Sequence, residues 1–232
     1  MPSRLIFSHH HTRYYFNCQI ACINTNLKLL LIIYESHNIL HNVIMYKIPF
    51  ILTLPVRQTK IYRGILMELK TLRLYIRNLR EDDWIKMKSL FIDFNNSKYA
   101  AYDRPLPTED IEIKALTKHF VENSLFFAIY LLGKNQMIGY VCFHKDEEKY
   151  DLGYCFHSTF HSNGYAYESI KALIDYFVRE HNAITFTAGP AIANKPSCKL
   201  LEKLGFECVS REELSFNENF SFEGGNFILN LQ

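Results

Sequence analysis

Apolar and polar positions alternate through Leu72-Arg73-Leu74-Tyr75-Ile76-Arg77, the period-two pattern of a half-buried strand. Beyond it the period lengthens. The acidic start Glu81-Asp82-Asp83 precedes Trp84, Met87 and Phe91 at helical spacing and predicts a helix over 82–94. A loop holding Tyr99, Tyr102, Asp103 and Arg104 leads to a second helix over 108–122. Strands over 125–131 and 136–144 read as a hairpin across Gly133-Lys134-Asn135, with Gly139 interrupting the second. A strand over 149–156 precedes a helix over 165–180 whose Ala166, Ile170, Leu173 and Phe177 share one face. A strand over 183–188, a helix over 195–204 and a last hairpin pairing 207–216 with 226–231 across Gly224-Gly225 complete the reading. This mixture predicts one α/β (α+β) domain.

The turn from strand to helix after Phe156 carries His161-Ser162-Asn163-Gly164-Tyr165-Ala166. Such a junction leaves the first helical N–H groups without internal partners at the positive end of the helix dipole, where an anion such as a pyrophosphate is favoured. Gly164 lets the backbone approach that anion, and Ala166 keeps the next contact small. One glycine is a weak signal by itself, because most such turns contain a small residue and bind nothing. A second feature follows: Asn194-Lys195-Pro196-Ser197, then Leu200, Leu201 and Leu204 at helical spacing, then Gly205-Phe206. Pro196 near the start and Gly205 just past the end are the asymmetry of a short helix.

The two motifs, in this order, resemble the acetyl-CoA site of the GNAT family of N-acetyltransferases. In that family the phosphate loop reads Gln or Arg, two residues, Gly, one residue, then Gly or Ala. His161, Gly164 and Ala166 take those places, so the first departs from the pattern. A histidine still offers an N–H to a phosphate oxygen, but its charge depends on pH where that of arginine does not. Asn194, Ser197 and the stretch from Leu201 to Phe206 resemble the branch that includes the ribosomal-protein N-terminal acetyltransferases. The resemblance implies a mixed, mostly antiparallel sheet of about six to seven strands flanked by about four helices. It also implies acetyl-CoA as co-substrate, no metal, and an amine acceptor.

Residue by residue, the resemblance puts acetyl-CoA against Tyr154, Cys155 and Phe156 of the strand end, against His161, Ser162, Asn163, Gly164, Tyr165 and Ala166, and near Asn194. Backbone N–H groups around Tyr154 and Cys155 would meet the oxyanion. Asp151 is the candidate base, with a solvated strand-end aspartate as the alternative, and Ser197 the candidate proton donor to the departing thiolate, with a helix cap as the alternative. Other family members place a tyrosine donor where this chain has Leu201, so that route is absent. Asn194 also suits fixing the turn into its helix. The acceptor side implied is the loop with Tyr99, Tyr102 and Asp103, whose aromatic faces and acid suit a cationic amine, though tyrosines covering a core edge would look the same. An acyl-CoA-binding module without turnover and a nucleotide-phosphate loop in an unrelated α/β protein stay open.

Charge divides the 232 residues in two. Residues 1–66 hold seven Lys and Arg against Glu35 alone, a net of +6, while the rest holds 19 against 23, a net of −4. The basic balance therefore belongs to the first piece and is no nucleic-acid footprint of the folded part. Residues 67–232 suffice for one domain, and a start at Met67 is expected, with 1–66 an extension or misassigned upstream translation. The apolar runs 27–34 and 48–56 are too short to span a bilayer. His9-His10-His11 with Cys18 and Cys22 fits no closed metal pattern. Cys142, Cys155, Cys198 and Cys208 read as small core residues in a reducing cytosol. No nucleic-acid or membrane partner is expected, and the protein is expected to be cytoplasmic and a monomer or homodimer.

Overall fold

A computed structural model describes residues 67–123, 125–217 and 220–231. The expectations for residues 1–66 lie outside the described residues. In chain order the elements are β1 (Glu68–Lys70), β2 (Leu74–Asn78), α1 (Trp84–Asn95), α2 (Asp110–Asn123), β3 (Leu125–Leu131), β4 (Met137–Asp146) and β5 (Lys149–Phe156). They continue with α3 (Tyr165–His181), β6 (Thr185–Ala188), α4 (Lys195–Lys203), β7 (Glu207–Asn217) and β8 (Phe220–Asn230). The strands form one sheet in the order β1-β2-β3-β4-β5-β6-β8-β7. Only β5 and β6 run parallel, which the crossover helix α3 makes possible.

The sheet is covered on both faces. β4 is buried continuously from Met137 to Phe143, as a central strand between two layers must be. Under α3 and α4 lie Leu74, Ile76, Phe127, Phe143, Tyr150, Leu152 and Phe186, into which α3 presses Ile170, Leu173 and Phe177. Phe177 meets Phe143 at 4.8 Å and Tyr150 at 5.1 Å between ring centroids. On the other face Met87 and Phe91 of α1 and Ile113 and Phe120 of α2 pack with Tyr140 and Cys155 of the sheet. This second face also buries an ion pair. Arg77 donates to both oxygens of Asp83, at 2.7 and 2.8 Å, and Tyr130 OH donates to Asp83 at 2.6 Å. Burial alone would raise the Asp83 carboxyl, but those hydrogen bonds hold it below the usual carboxylate range. The pair pins the entry of α1 to β2 and β3.

Two expectations on strands need correction. Glu68–Lys70 forms an eighth strand, pairing with β2. Gly224 and Gly225 are not a turn: they lie inside β8 opposite Glu212 and Arg211, and the hairpin closes between Asn217 and Phe220. Chain 190–192 crosses them, with Gly225 N–H on Pro190 O at 2.9 Å and a bridge from Ala191 to Gly224. A Cβ at Gly225 would stand 2.7 Å from Ile192, so close approach rather than turning demands glycine there.

Candidate active site

The pairing of β5 with β6 ends at Asp151 opposite Thr187, whereas β5 runs on to Phe156. The strands therefore part at Asp151. Side chains alternate between faces along β5, whose pairing with β4 has no bulge. Cys155 belongs to the core under α1 and α2, and Phe156 to the core under α3 and α4. Asp151 accordingly shares the α1 and α2 face, and Tyr154 the opposite one. The opening between the strands is where the two faces meet.

Asp151 is partly buried, and Thr187 Oγ1 donates to its Oδ1 at 2.7 Å. Burial raises its carboxyl to about 7, against the lowering effect of the Thr187 hydrogen bond. It is not the solvated strand-end acid of the alternative reading. A carboxyl titrating there can take up a proton near neutral pH.

Ser197 is buried in the first turn of α4. The cap of that helix is Asn194, whose Oδ1 accepts from Ser197 N at 3.3 Å, so the serine hydroxyl is not the capping group. That hydroxyl lies 2.7 Å from Tyr154 OH. Leu201 is fully buried, yet a phenol stands beside Ser197 all the same, delivered from β5. The sequence singled out Tyr154 for its backbone; nothing in a 43-residue separation signals the side-chain contact.

In the phosphate loop Ser162 has φ 63° and Gly164, the N-cap of α3, φ 79°. Alternating left-handed residues of this kind turn successive N–H groups toward one side. Asn163 ties the loop to itself, its amide donating to Phe160 O and to His161 O. The His161 Nε2 lies 2.7 Å from Phe156 O; since a carbonyl only accepts, Nε2 carries a proton and Nδ1 is the remaining ring nitrogen. The ring thus braces the loop against β5. Tyr165 and Ala166 begin α3 and pack partly into the core beneath it.

Two carboxylates missed by sequence reasoning hold this loop. Asp93 of α1 accepts from Ser158 N at 2.7 Å and Ser158 Oγ at 2.6 Å. Glu168 of α3 accepts from Thr71 Oγ1 at 2.6 Å and from Arg73 Nε at 2.7 Å. On the other side, Tyr102 packs on Phe220 and Phe222 of the β7–β8 hairpin, at 6.0 and 5.5 Å between centroids. Burial raises the neighbouring Asp103 to about 8, although Arg104 N–H donates to it. Tyr99 lies under the ammonium of Lys98. Of the cysteines, Cys142, Cys155 and Cys198 are buried as expected, but Cys208 is exposed. Among the described residues no group of three or more His, Cys, Asp or Glu is placed to hold a metal, and no helix is long and apolar enough to cross a membrane.

The family model of the acetyltransferase (GNAT) domain matches residues 73–207, a span that includes the strand-to-helix loop and the parting strands. The chain belongs to the GNAT family, whose reaction is acetyl-CoA-dependent acetylation. Its relatives include the uncharacterized N-acetyltransferase YnaD of Bacillus subtilis (strain 168), 28% identical over 141 residues, 60% of this chain and 82% of the relative. A GNAT-family acetyltransferase from Bacillus anthracis shares the fold with a TM-score of 0.63 at 23% identity, covering 71% of this chain and 98% of that one. The ribosomal L7/L12 α-N-protein acetyltransferase RimL, solved with coenzyme A, shares it with a TM-score of 0.61 at 14% identity, covering 71% and 98%.

Proposed function

We propose that this protein moves the acetyl group of acetyl-CoA to a primary amine by direct attack on the thioester. The observation that carries the reading is the parting of β5 and β6 at Asp151, with a titratable carboxyl on one face and the Ser197–Tyr154 hydroxyl pair on the other. The amine nitrogen attacks the thioester carbon, and the Asp151 carboxylate takes the proton it sheds. The C–S bond breaks, and Ser197 gives a proton to the leaving thiolate while Tyr154 passes one to Ser197; solvent then reprotonates the phenol and takes the proton held by Asp151. Held reactants and one proton acceptor suffice for this chemistry, because the thioester is already activated.

Pyrophosphate binding falls to His161, Ser162, Asn163, Gly164, Tyr165 and Ala166, and the pantetheine arm to Tyr154, Cys155, Phe156 and Asn194. The acceptor approaches from Tyr99, Tyr102 and Asp103. RimL acts on ribosomal L7/L12, so peptide N-termini stand beside small-molecule amines among the acceptors to be tried. The test is thiol release from acetyl-CoA with such a panel, with mass spectrometry of the product. Release that tracks amine acetylation and slows in Ser197→Ala at unchanged melting temperature supports the reading. Tight acetyl-CoA binding with no acetylated amine would reduce the protein to a binding module.

A further inference from the structure

Arg73 stands at the bend before β2, far in sequence from the phosphate loop, yet its guanidinium is committed to it. Nε donates to Glu168 Oε2 at 2.7 Å and Nη2 lies 2.6 Å from the same oxygen. Nη1 donates to Asn163 O at 3.0 Å. The guanidinium also covers the Tyr165 ring at 4.6 Å from its centroid. Even the Arg73 backbone N–H joins in, donating to Glu168 Oε1 at 3.1 Å.

Each contact has a consequence for an anion at the start of α3. Glu168 places a carboxylate in the first turn of the helix, where it would repel a pyrophosphate unless neutralised. Arg73 and Thr71 neutralise and fix it. Burial opposes that charge, but their hydrogen bonds hold Glu168 below its usual range. The Asn163–Gly164 peptide is planar and trans, so anchoring Asn163 O on Arg73 turns Gly164 N–H to the opposite side. His161, whose family place takes Arg or Gln, has its ring engaged on Phe156 O.

We infer that Arg73 is a positioning residue for the cofactor's pyrophosphate: it screens Glu168 and sets the Asn163–Gly164 peptide, without serving the thioester arm. This rests on the acetyl-CoA reading above. The experiment compares two donors, acetyl-CoA by calorimetry and S-acetylpantetheine, which has the same thioester arm but no pyrophosphate, by ligand-detected NMR. Arg73→Gln should weaken acetyl-CoA at least about tenfold and leave S-acetylpantetheine within about twofold, as loss of one charge-assisted contact set predicts. Arg73→Lys, keeping the charge without the fork, should recover part of the affinity. Arg73→Gln with Glu168→Gln should recover part as well, because the unscreened carboxylate is then gone. Equal losses for both donors, or no loss for either, would overturn the inference. A wild-type protein that binds neither donor would instead overturn the acetyl-CoA reading, and this inference with it.

Discussion

The face of the sheet under α3 and α4 is filled with aliphatic and aromatic side chains, whereas the face under α1 and α2 buries Arg77 with Asp83 and turns Asp151 toward it. The charged groups of the first face, Arg73 and Glu168, sit at its rim and satisfy each other. On the second, Asp151 is partly buried, as is Asp103 in the loop before α2, with carboxyls raised to about 7 and about 8. The pair on one side keeps its charges through neutrality, while the carboxyls on the other change protonation around it. On the proposed function the pyrophosphate contacts fall on the first side and the proton-accepting carboxyl on the second, a division that can be tested.

The sharpest break should come from Asp151→Asn. It should lower turnover on an identified amine about 10² to 10⁴-fold, the range for loss of a general base, with calorimetric acetyl-CoA affinity nearly unchanged. In the wild type kcat/KM should rise with pH through about 7 and level off above it, because the base acts deprotonated. Normal turnover in the variant would remove Asp151 from the chemistry. Next in size, Arg77→Met leaves Asp83 buried without its guanidinium, only partly compensated by Tyr130 and Lys86, and should cost about 3–5 kcal/mol, read as a melting temperature lower by roughly 10 °C. Acetyl-CoA affinity, measured well below the transition, should hold. Gly164→Val inverts the pattern on the other side. A branched residue at φ 79° is strained and would shift the loop backbone, so affinity should fall about 10²-fold while far-ultraviolet circular dichroism stays the same.

The smallest effect is on stability against pH, and it separates the sides by sign. Asp151 and Asp103 have folded values above their unfolded ones, so the stability they lend is complete below about pH 4 and is lost as pH rises through about 7 and about 8. Glu168, held low, contributes above its unfolded value and loses that contribution as pH falls through its folded one. Denaturant titrations of Asp103→Asn should flatten the decline from pH 6 to 8, and those of Glu168→Gln should leave that range unchanged. A Glu168→Gln profile altered between pH 6 and 8 would contradict the assignment.

What the sequence disclosed was local. The apolar stripe of Ile170, Leu173 and Phe177, the Asn194 cap with Pro196 behind it, and Gly205 at φ 94° past α4 all depend on neighbours within two turns. The hairpin over Gly133 came out the same way. Gly224-Gly225 misled because a glycine pair reads as a turn, while the close crossing of 190–192 that requires it lies far back in the chain. The burial of Asp151, the Tyr154–Ser197 contact and the grip of Arg73 on Glu168 are products of packing between distant elements. No local pattern encodes them. Glu81-Asp82-Asp83 read as a dipole-favoured start, and the fold turned its last member inward to meet Arg77.

β8 lies between β6 and β7, so the sheet's second half cannot be laid down in the order in which it is synthesised. While the ribosome is still adding the final stretch, β6 exists as four residues with a partner on one side only, and its other edge waits for Thr185–Ala188 to meet Phe227–Asn230. Thr187, which holds Asp151, sits on that waiting strand. Long-range pairing of this kind closes late and slowly. The hydrogen bond from Thr187 to Asp151 therefore gains its full sheet support only when β8 inserts beside β6.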